Sequence, residues 1–332
     1  MFTVVRSADA HADFETWRAD PAFARVEAHP VYGAFGRHYY PAVFQGSRVD
    51  ASFAVLDGGE PVGLIPCSAG SGELDYFGFP IRFFQRSGGV DWPAKVLELA
   101  FDHLEKLATQ HRTTRVTIAD DAALGVLSAV GKQCLNRRAR GALRLTGLIE
   151  LDRDEAGMKR NVRKSYHSLI NWGGRNLQTR IVGAGDPDRE MFARYQEFHR
   201  AVAGRVTRPQ ESWDVMFDWI AKGRGELILG FLQDGELVTG TLVVDGTTTS
   251  FYASGVYDRD RFELPLAHWP LWQAILRSAE RGMQVFDLGD LPLADAATSK
   301  EVAIGYFKRG FASNIATWVA WSWNPAGEAH AP

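Results

Sequence analysis

ELILGFLQDGELVTGTLVVDGTTTSFYASGVYDRDRF, Glu226 to Phe262, followed by a helical stretch and then by VFDLGD at Val285 to Asp290, decides the fold. Leu227 to Leu232 is an apolar run of strand length. Asp234-Gly235 between two such runs is the strongest short hairpin signal, and Leu237 to Val244 is the returning strand. Asp245-Gly246 turns the chain again into Thr249 to Gly255, rich in β-branched and aromatic residues. A polar break at Tyr257 to Arg261 leads into a helix expected over Leu264 to Arg281. Ala267, Leu271, Ala274, Ile275 and Ser278 form its inward stripe, Pro270 kinks or separates its first turn, and Gly282 ends it. Val285 to Leu288 is then a short buried strand, parallel to a neighbour by the crossover rule.

The same order of elements occurs earlier in the chain. Ala51 to Leu56 and Pro61 to Cys67 flank the turn Asp57-Gly58-Gly59, and a further strand is expected at Leu74 to Phe79. A helix from about Asp91 to Gln110 follows, then a short strand at Arg115 to Ile118. Gly59 and Gly235 lie 176 residues apart, and Gly78 and Gly255 lie 177 apart. A hairpin–strand–helix–strand unit repeated at near-constant offset is the mark of an internal duplication.

The chain has 332 residues, 45% hydrophobic and 23% charged, and suits a folded protein of two domains. No stretch of 18 uncharged apolar residues occurs, so no membrane span is expected. The first residues lack a basic start followed by an apolar core, so no signal peptide is visible, and a cytoplasmic location is the default expectation. The two cysteines, Cys67 and Cys134, read as buried thiols. A net charge of −3 argues against a general nucleic-acid coat. Arg137 to Arg180, however, holds eleven Lys or Arg against four Asp or Glu, an excess that meets either phosphate or solvent.

Phe2 to Arg6 is expected as a strand and His11 to Arg18 as a short helix. Pro21 to Tyr40 is irregular or weakly helical and dense in aromatics. Asp121 to Val130 is expected as a helix and Leu143 to Leu151 as a strand, which places a domain boundary at 150, between domains 1–150 and 151–332. The second domain opens with a basic helix, Glu155 to Trp172, in which positions 160, 163, 164 and 167 would share one face. A strand at Leu177 to Val182 and helices at Asp186 to Val202 and Gln210 to Ala221 precede the 226–290 unit. A last helix, Asp295 to Arg309, stops at Gly310 before an aromatic strand at Ala316 to Trp323. The fold class is α+β: two tandem domains, each a mostly antiparallel mixed sheet flanked by helices.

Doubled in this way, the pattern resembles the GNAT acyltransferase fold, and the tandem arrangement resembles the Fem family of aminoacyl-tRNA-dependent peptidyltransferases. The resemblance is carried by Val285-Phe286-Asp287-Leu288-Gly289-Asp290 after a helix ending in Glu280-Arg281-Gly282. It is carried also by Gly305-Tyr306-Phe307-Lys308-Arg309-Gly310-Phe311, which looks like the family's closing Phe-Lys and Gly-Phe signature. The chain departs from cell-wall Fem enzymes in having no heptad run for a long helical hairpin. It departs from CoA-using GNAT enzymes at Asp258 to Pro265, where their glycine-rich pyrophosphate loop would stand and where this sequence has no glycine. The resemblance therefore implies transfer of an aminoacyl group from aminoacyl-tRNA to a small-molecule, sugar or peptide amine. Acetyl-CoA is the alternative co-substrate, and a non-catalytic binding module on the same fold is a reading from another class.

Amide formation needs a deprotonated amine, a carbonyl held in line and donors for the oxyanion. No Ser-His-Asp or Cys-His set and no metal-ligand spacing is visible, so direct attack without a covalent intermediate or a metal is expected. In the fold that this chain resembles, the acyl donor lies where the third hairpin strand and the strand after the helix part, and backbone N–H groups freed there meet the oxyanion. The candidate catalytic residues are Tyr252 on that strand, Asp287 at the end of the following one, and His268 near the helix start as a base. Lys308, with Phe307 and Arg309 beside it, Asp290, and Arg160, Arg163 and Lys164 are the candidates for substrate or phosphate binding. The structural alternatives are a solvated cation for Lys308, a packed histidine, loop or capping hydrogen bonds for the aspartates, and a solvated basic face for the arginines.

Overall fold

A computed structural model describes residues 1–86, 92–121, 126–152, 154–293 and 297–325. Its first half runs β1 (Phe2–Arg6), α1 (His11–Ala19), a 3-10 turn, α2 (Ala24–Ala28), α3 (Ala34–Phe44), β2 (Val49–Asp50), β3 (Phe53–Asp57), β4 (Glu60–Ile65), β5 (Ser68–Gly70), β6 (Glu73–Asp75), β7 (Phe84–Gln85), α4 (Ala94–Gln110), β8 (Arg115–Asp120), α5 (Ala129–Asn136) and β9 (Arg140–Glu150). The second continues through α6 (Glu155–Asn161), α7 (Lys164–Asn176), β10 (Gln178–Val182), α8 (Arg189–Ala203), α9 (Gln210–Ala221), β11 (Gly225–Phe231), β12 (Leu237–Asp245), β13 (Thr249–Tyr257), α10 (His268–Glu280), β14 (Val285–Asp290), α11 (Ser299–Arg309) and β15 (Asn314–Trp323).

The chain forms two compact units that are not contiguous in sequence. Unit 1 comprises 1–27, 44–144 and 317–332, and unit 2 comprises 28–43 and 145–316. The division expected at 150 thus differs at two segments. Phe35 on α3 stacks on Tyr39 and meets the edge of Trp219, which ties 28–43 into the unit 2 core. Trp321 and Trp323 are buried in the unit 1 core, the latter stacked on Phe101. Aromatic anchors, rather than chain order, decide which unit each segment joins.

In unit 2 the strands lie in the order β10-β11-β12-β13-β14-β9, antiparallel throughout except for the parallel pair β13–β14. Both faces of this sheet are covered, which is why its strands read as continuous apolar runs. Ile228, Val243 and Phe286 face α7 and α10, and Leu227, Leu229, Leu242 and Val244 face α8 and α9. In unit 1 the corresponding elements divide between two sheets, β1-β3-β4-β7 and β15-β8-β6-β5-β2. The hairpin β3–β4 and the parallel pair β6–β8 therefore belong to different sheets, so the duplication preserves element order more closely than strand pairing. Val96, Leu97, Ala100, Phe101, Leu104 and Leu107 of α4 fill the core beside them.

Several boundaries differ from expectation. The basic helix is broken: Val162 and Arg163 are extended between α6 and α7, so 160 and 163–167 do not share one helical face. α10 starts at His268 rather than Leu264, β6 ends at Asp75, and α5 begins only at Ala129. Asp91, 122–125 and Asp295, which were expected inside helices, lie outside the described residues.

One buried ion cluster fixes α10 to the unit 2 sheet. Glu226 on β11 accepts from Arg277 at 2.6 and 2.7 Å and from Arg281 at 2.7 Å. Asp245 at the end of β12 accepts from Arg281 at 2.6 and 3.1 Å and from the Ser250 hydroxyl at 2.5 Å. Glu226 and Asp245 are 8% and 4% exposed, so neither carboxylate is supported by water. Glu226→Ala leaves two guanidinium groups with one carboxylate and is expected to lower stability by about 3–5 kcal/mol in urea unfolding.

Candidate active site

β13 and β14 pair at only three positions, Thr249–Val285, Ser250–Phe286 and Phe251–Asp287. Beyond them β13 runs on to Tyr257 and β14 to Asp290 without further pairing. The register of β13 against β12 also slips here: Val243 faces Tyr252 while Leu242 faces Ser254, so Ala253 is the extra residue of a bulge. Two parallel strands held together at one end and parted at the other leave backbone groups of β13 available along the gap.

The structure brings Tyr252, Asp287, Asp290 and Lys308 to this gap. The Lys308 ammonium lies 6.0 Å from the centre of the Tyr252 ring and donates to the Asp290 carbonyl at 3.4 Å. Gly289, at φ +75°, lets β14 end close beneath this ammonium: a side chain there would meet Lys308 Nζ at 3.3 Å. Asp287 accepts from the Gly289 N–H at 2.6 Å. Burial pushes the Lys308 pKa down, opposed by Asp287 and Asp290. Burial likewise pushes the Tyr252 hydroxyl well up, so it stays protonated at neutral pH, with Thr241 hydrogen-bonded to it. Gly255 is what makes room for that hydroxyl, since a Cβ there would overlap it.

Tyr252 opens onto a cavity of about 910 Å³ within unit 2, bounded by β12, β13, the 259–267 segment and the ends of α8, α10 and α11. His268 and Phe307 are in its wall. The His268 ring sits in an aromatic box, 4.6 Å from Tyr166, 5.2 Å from Phe307 and 6.1 Å from Phe311. Its Nδ1 is buried without a hydrogen-bond partner, and burial lowers its pKa to about 4. Gly310 completes the box, because the Tyr166 ring occupies the space of a side chain there. The 305–311 signature thus packs the cavity wall with Phe307, Gly310 and Phe311 and presents Lys308 to the strand gap.

The other candidates fall elsewhere. Arg160 is exposed and paired with Asp154 at 3.5 Å. Arg163 donates to the Tyr166 hydroxyl at 3.0 Å and lies 3.9 Å over the Tyr306 ring, which makes it a brace for α7 and α11. Lys164 and Arg309 are exposed helix-end cations. Trp269 packs on Gly173 and donates to Thr179, and Trp272 is buried in the core, so neither side chain blocks the cavity. Sequence reasoning missed His199, Thr239 and Thr241 in the lining. The two threonines carried a signal, as hydroxyls flanking Gly240 inside an otherwise apolar strand. Among the described residues no group of three or more His, Cys, Asp or Glu is placed to hold a metal, and no helix is long and apolar enough to cross a membrane.

His199, like His268, is pushed down to about 4 by burial, with Arg208 adding to the effect. In an unfolded chain both titrate near 6.5. The unfolded state therefore binds more protons between the two values. Their contribution to stability is complete above pH 6.5 and is lost as the pH falls toward 4. The melting temperature is expected to drop across that window, and to drop less in a His199→Gln, His268→Phe double variant.

No protein-family model matches the sequence, and no curated protein matches it. Its likeness is to solved structures. FemX is 12% identical and superposes over 90% of this chain and 94% of its own with a TM-score of 0.63. A tandem GNAT protein from the clavulanic acid biosynthesis pathway, solved without acetyl-CoA, is 15% identical over 99% of this chain and 100% of its own, with a TM-score of 0.61. L-PGS from Bacillus licheniformis is 13% identical over 91% of each chain, with a TM-score of 0.54. At these identities the likeness speaks for architecture: this chain has the tandem GNAT fold.

Proposed function

We propose that the protein is an amide-forming acyltransferase that moves an aminoacyl group from aminoacyl-tRNA to an amine by direct attack. The observation that carries this reading is the parting of β13 from β14 beyond Phe251 and Asp287, with Tyr252 and Lys308 at the opening. The acceptor nitrogen attacks the ester carbonyl carbon, and the carbonyl electrons move to oxygen. Freed N–H groups of β13 and the Lys308 ammonium stabilise that oxyanion. The bond to the ribose oxygen then breaks, the Tyr252 hydroxyl supplies the leaving oxygen with a proton, and Asp287 receives the proton released by the amine. Returning that proton to Tyr252 restores the starting state. The neutral His268 shapes the wall next to the reacting centre.

The start of α10 favours this donor over a CoA thioester. The diphosphate of CoA calls for free N–H groups at a helix N-terminus. Here Pro270 has none, His268 N bonds the Pro265 carbonyl at 3.4 Å, and the preceding segment carries Glu263. A second reading, transfer from acetyl-CoA to a sugar or amino acid, is favoured by the likeness to the tandem GNAT protein of the clavulanic acid biosynthesis pathway, a structure without acetyl-CoA.

Incubation with radiolabelled aminoacyl-tRNA pools and, separately, with labelled acetyl-CoA, each with a mixture of amines, tests the donor. Label entering an amide only from tRNA is expected; label entering only from acetyl-CoA overturns that donor, and label from neither overturns the reaction. Tyr252→Phe is expected to lower turnover by about 10²–10⁴-fold without changing the melting temperature. Gly255→Ala, which displaces the same hydroxyl, is expected to match it. Lys308→Ala is expected to lower turnover by about 10²–10³-fold, and an unchanged rate removes Lys308 from the site.

A further inference from the structure

The cavity beside Tyr252 has a charge pattern that oxyanion chemistry does not use. Its interior is mainly apolar, with Val202, Leu266, Ala267, Ile304 and Phe307 beside two neutral imidazoles and the hydroxyls of Thr239, Thr241 and Tyr252. Its lining also contains three cations, Arg205, Arg259 and Lys300, and among the described residues one carboxylate, Glu263. All three cations are exposed, in a chain whose net charge is −3. They come from three different places: the segment after α8, the segment after β13, and the first turn of α11.

None of the three has an ion-pair partner among the described residues, which is equally true of the exposed Lys164, Lys222 and Arg309 of the same unit; what sets these three apart is that they line one cavity. Arg261, two residues from Arg259, is paired with both Glu236 and Asp258, at 2.6 and 3.5 Å. Arg180, Arg189, Arg277 and Arg281 of the same unit are likewise paired. Lys300 stands in the first turn of α11, where the helix dipole disfavours a positive charge. Three cations from separate stretches of chain line one mainly apolar cavity, and one of them stands against its own helix dipole, an arrangement suited to holding an acidic group of a ligand. Phe262, 81% exposed in the same lining, adds apolar surface where those charges lie.

We infer that this cavity holds the amine acceptor, and that the acceptor is a mainly apolar molecule carrying an acidic group, a carboxylate or a phosphate, which the three cations engage while the amine reaches Tyr252. This rests on the amide-forming reading, since that reading supplies the amine. A volume of about 910 Å³ suits a ligand of dipeptide size or larger.

The test is calorimetric binding, which needs no turnover. The probes are phenylalanyl-leucine, its C-terminal amide, and the analogue with a phosphonate in place of the carboxylate. Binding of the acid or the phosphonate with the amide at least about tenfold weaker is expected, and which of the two binds tighter identifies the acidic group. Arg205→Ala, Arg259→Ala, Lys300→Ala combined are expected to remove that preference while keeping the wild-type melting temperature, and added salt to weaken it. Equal binding of the amide, no binding of any probe, or an unchanged preference in the triple variant overturns the inference. So does a triple variant that loses affinity for tRNA while keeping its affinity for the acid, because the cations then serve the donor. Failure of the two proposals is distinguishable. Probe binding without acyl transfer from any donor removes the reaction and leaves the cavity's selectivity standing. Acyl transfer with an unchanged acceptor KM in the triple variant does the reverse.

Discussion

The buried ion cluster of Glu226, Asp245, Arg277 and Arg281 is the interaction on which the architecture of unit 2 depends. It clamps the C-terminal end of α10 to β11 and β12, and through Ser250 it reaches the paired end of β13. The cluster thereby holds helix and strands together at the end of the sheet where β13 and β14 are paired. Beyond the clamp β13 is bulged at Ala253 and β14 is irregular between Asp287 and Asp290, with Gly289 at positive φ, and the two strands diverge there. Ion pairs this well buried are costly to assemble and contribute little net stability. Their value here lies in register, because a slip of one residue in β13 would turn Tyr252 to the opposite face of the sheet.

Unit 1 shows the same elements without the opening. Its parallel pair, β6–β8, matches at Glu73–Arg115 and Leu74–Val116, and the strand ends immediately afterwards at Asp75. There Asp75 is bound by Arg48, by the Ser68 hydroxyl and by the Gly78 N–H, while Arg48 also holds Glu73. Side chains and their ion pairs fill the end of β6, whereas in unit 2 the corresponding strand continues past its last paired residue. Element order has been kept in both units, and the gap between strands in one.

Much of the fold was legible because it is written in local chemistry. Asp-Gly turns between apolar runs located the hairpins, and the 3.6-residue stripe located α4 and α10. Tyr252, Asp287 and Lys308 could be named because strand order and a short signature fix them to one place. What was hidden depends on contacts distant in sequence. Nothing around Phe35 announces that it will pack against Trp219, and so the membership of 28–43 was missed. The break between α6 and α7 was missed because Val162 and Arg163 carry no glycine or proline signal; the Arg163 N–H is bonded to the Gly310 carbonyl, nearly 150 residues away, at 2.8 Å. The cations around the cavity were invisible for the same reason, since each lies alone in its own stretch of sequence.

The segment from Asp258 to Ala267 is tied through its backbone by Asp258 N to Val238 O, Leu264 N to Arg261 O and Leu266 N to Leu264 O, and at its far end by the longer His268 N to Pro265 O and Leu271 N to Ala267 O. It forms much of one cavity wall and joins a strand and a helix that are each anchored at their far ends. Changes of length or composition can therefore accumulate in this stretch without moving Tyr252 or Lys308. Divergence in what enters the cavity is in this way decoupled from the placement of the strand gap, and a single scaffold can be retuned to new ligands through one short piece of chain.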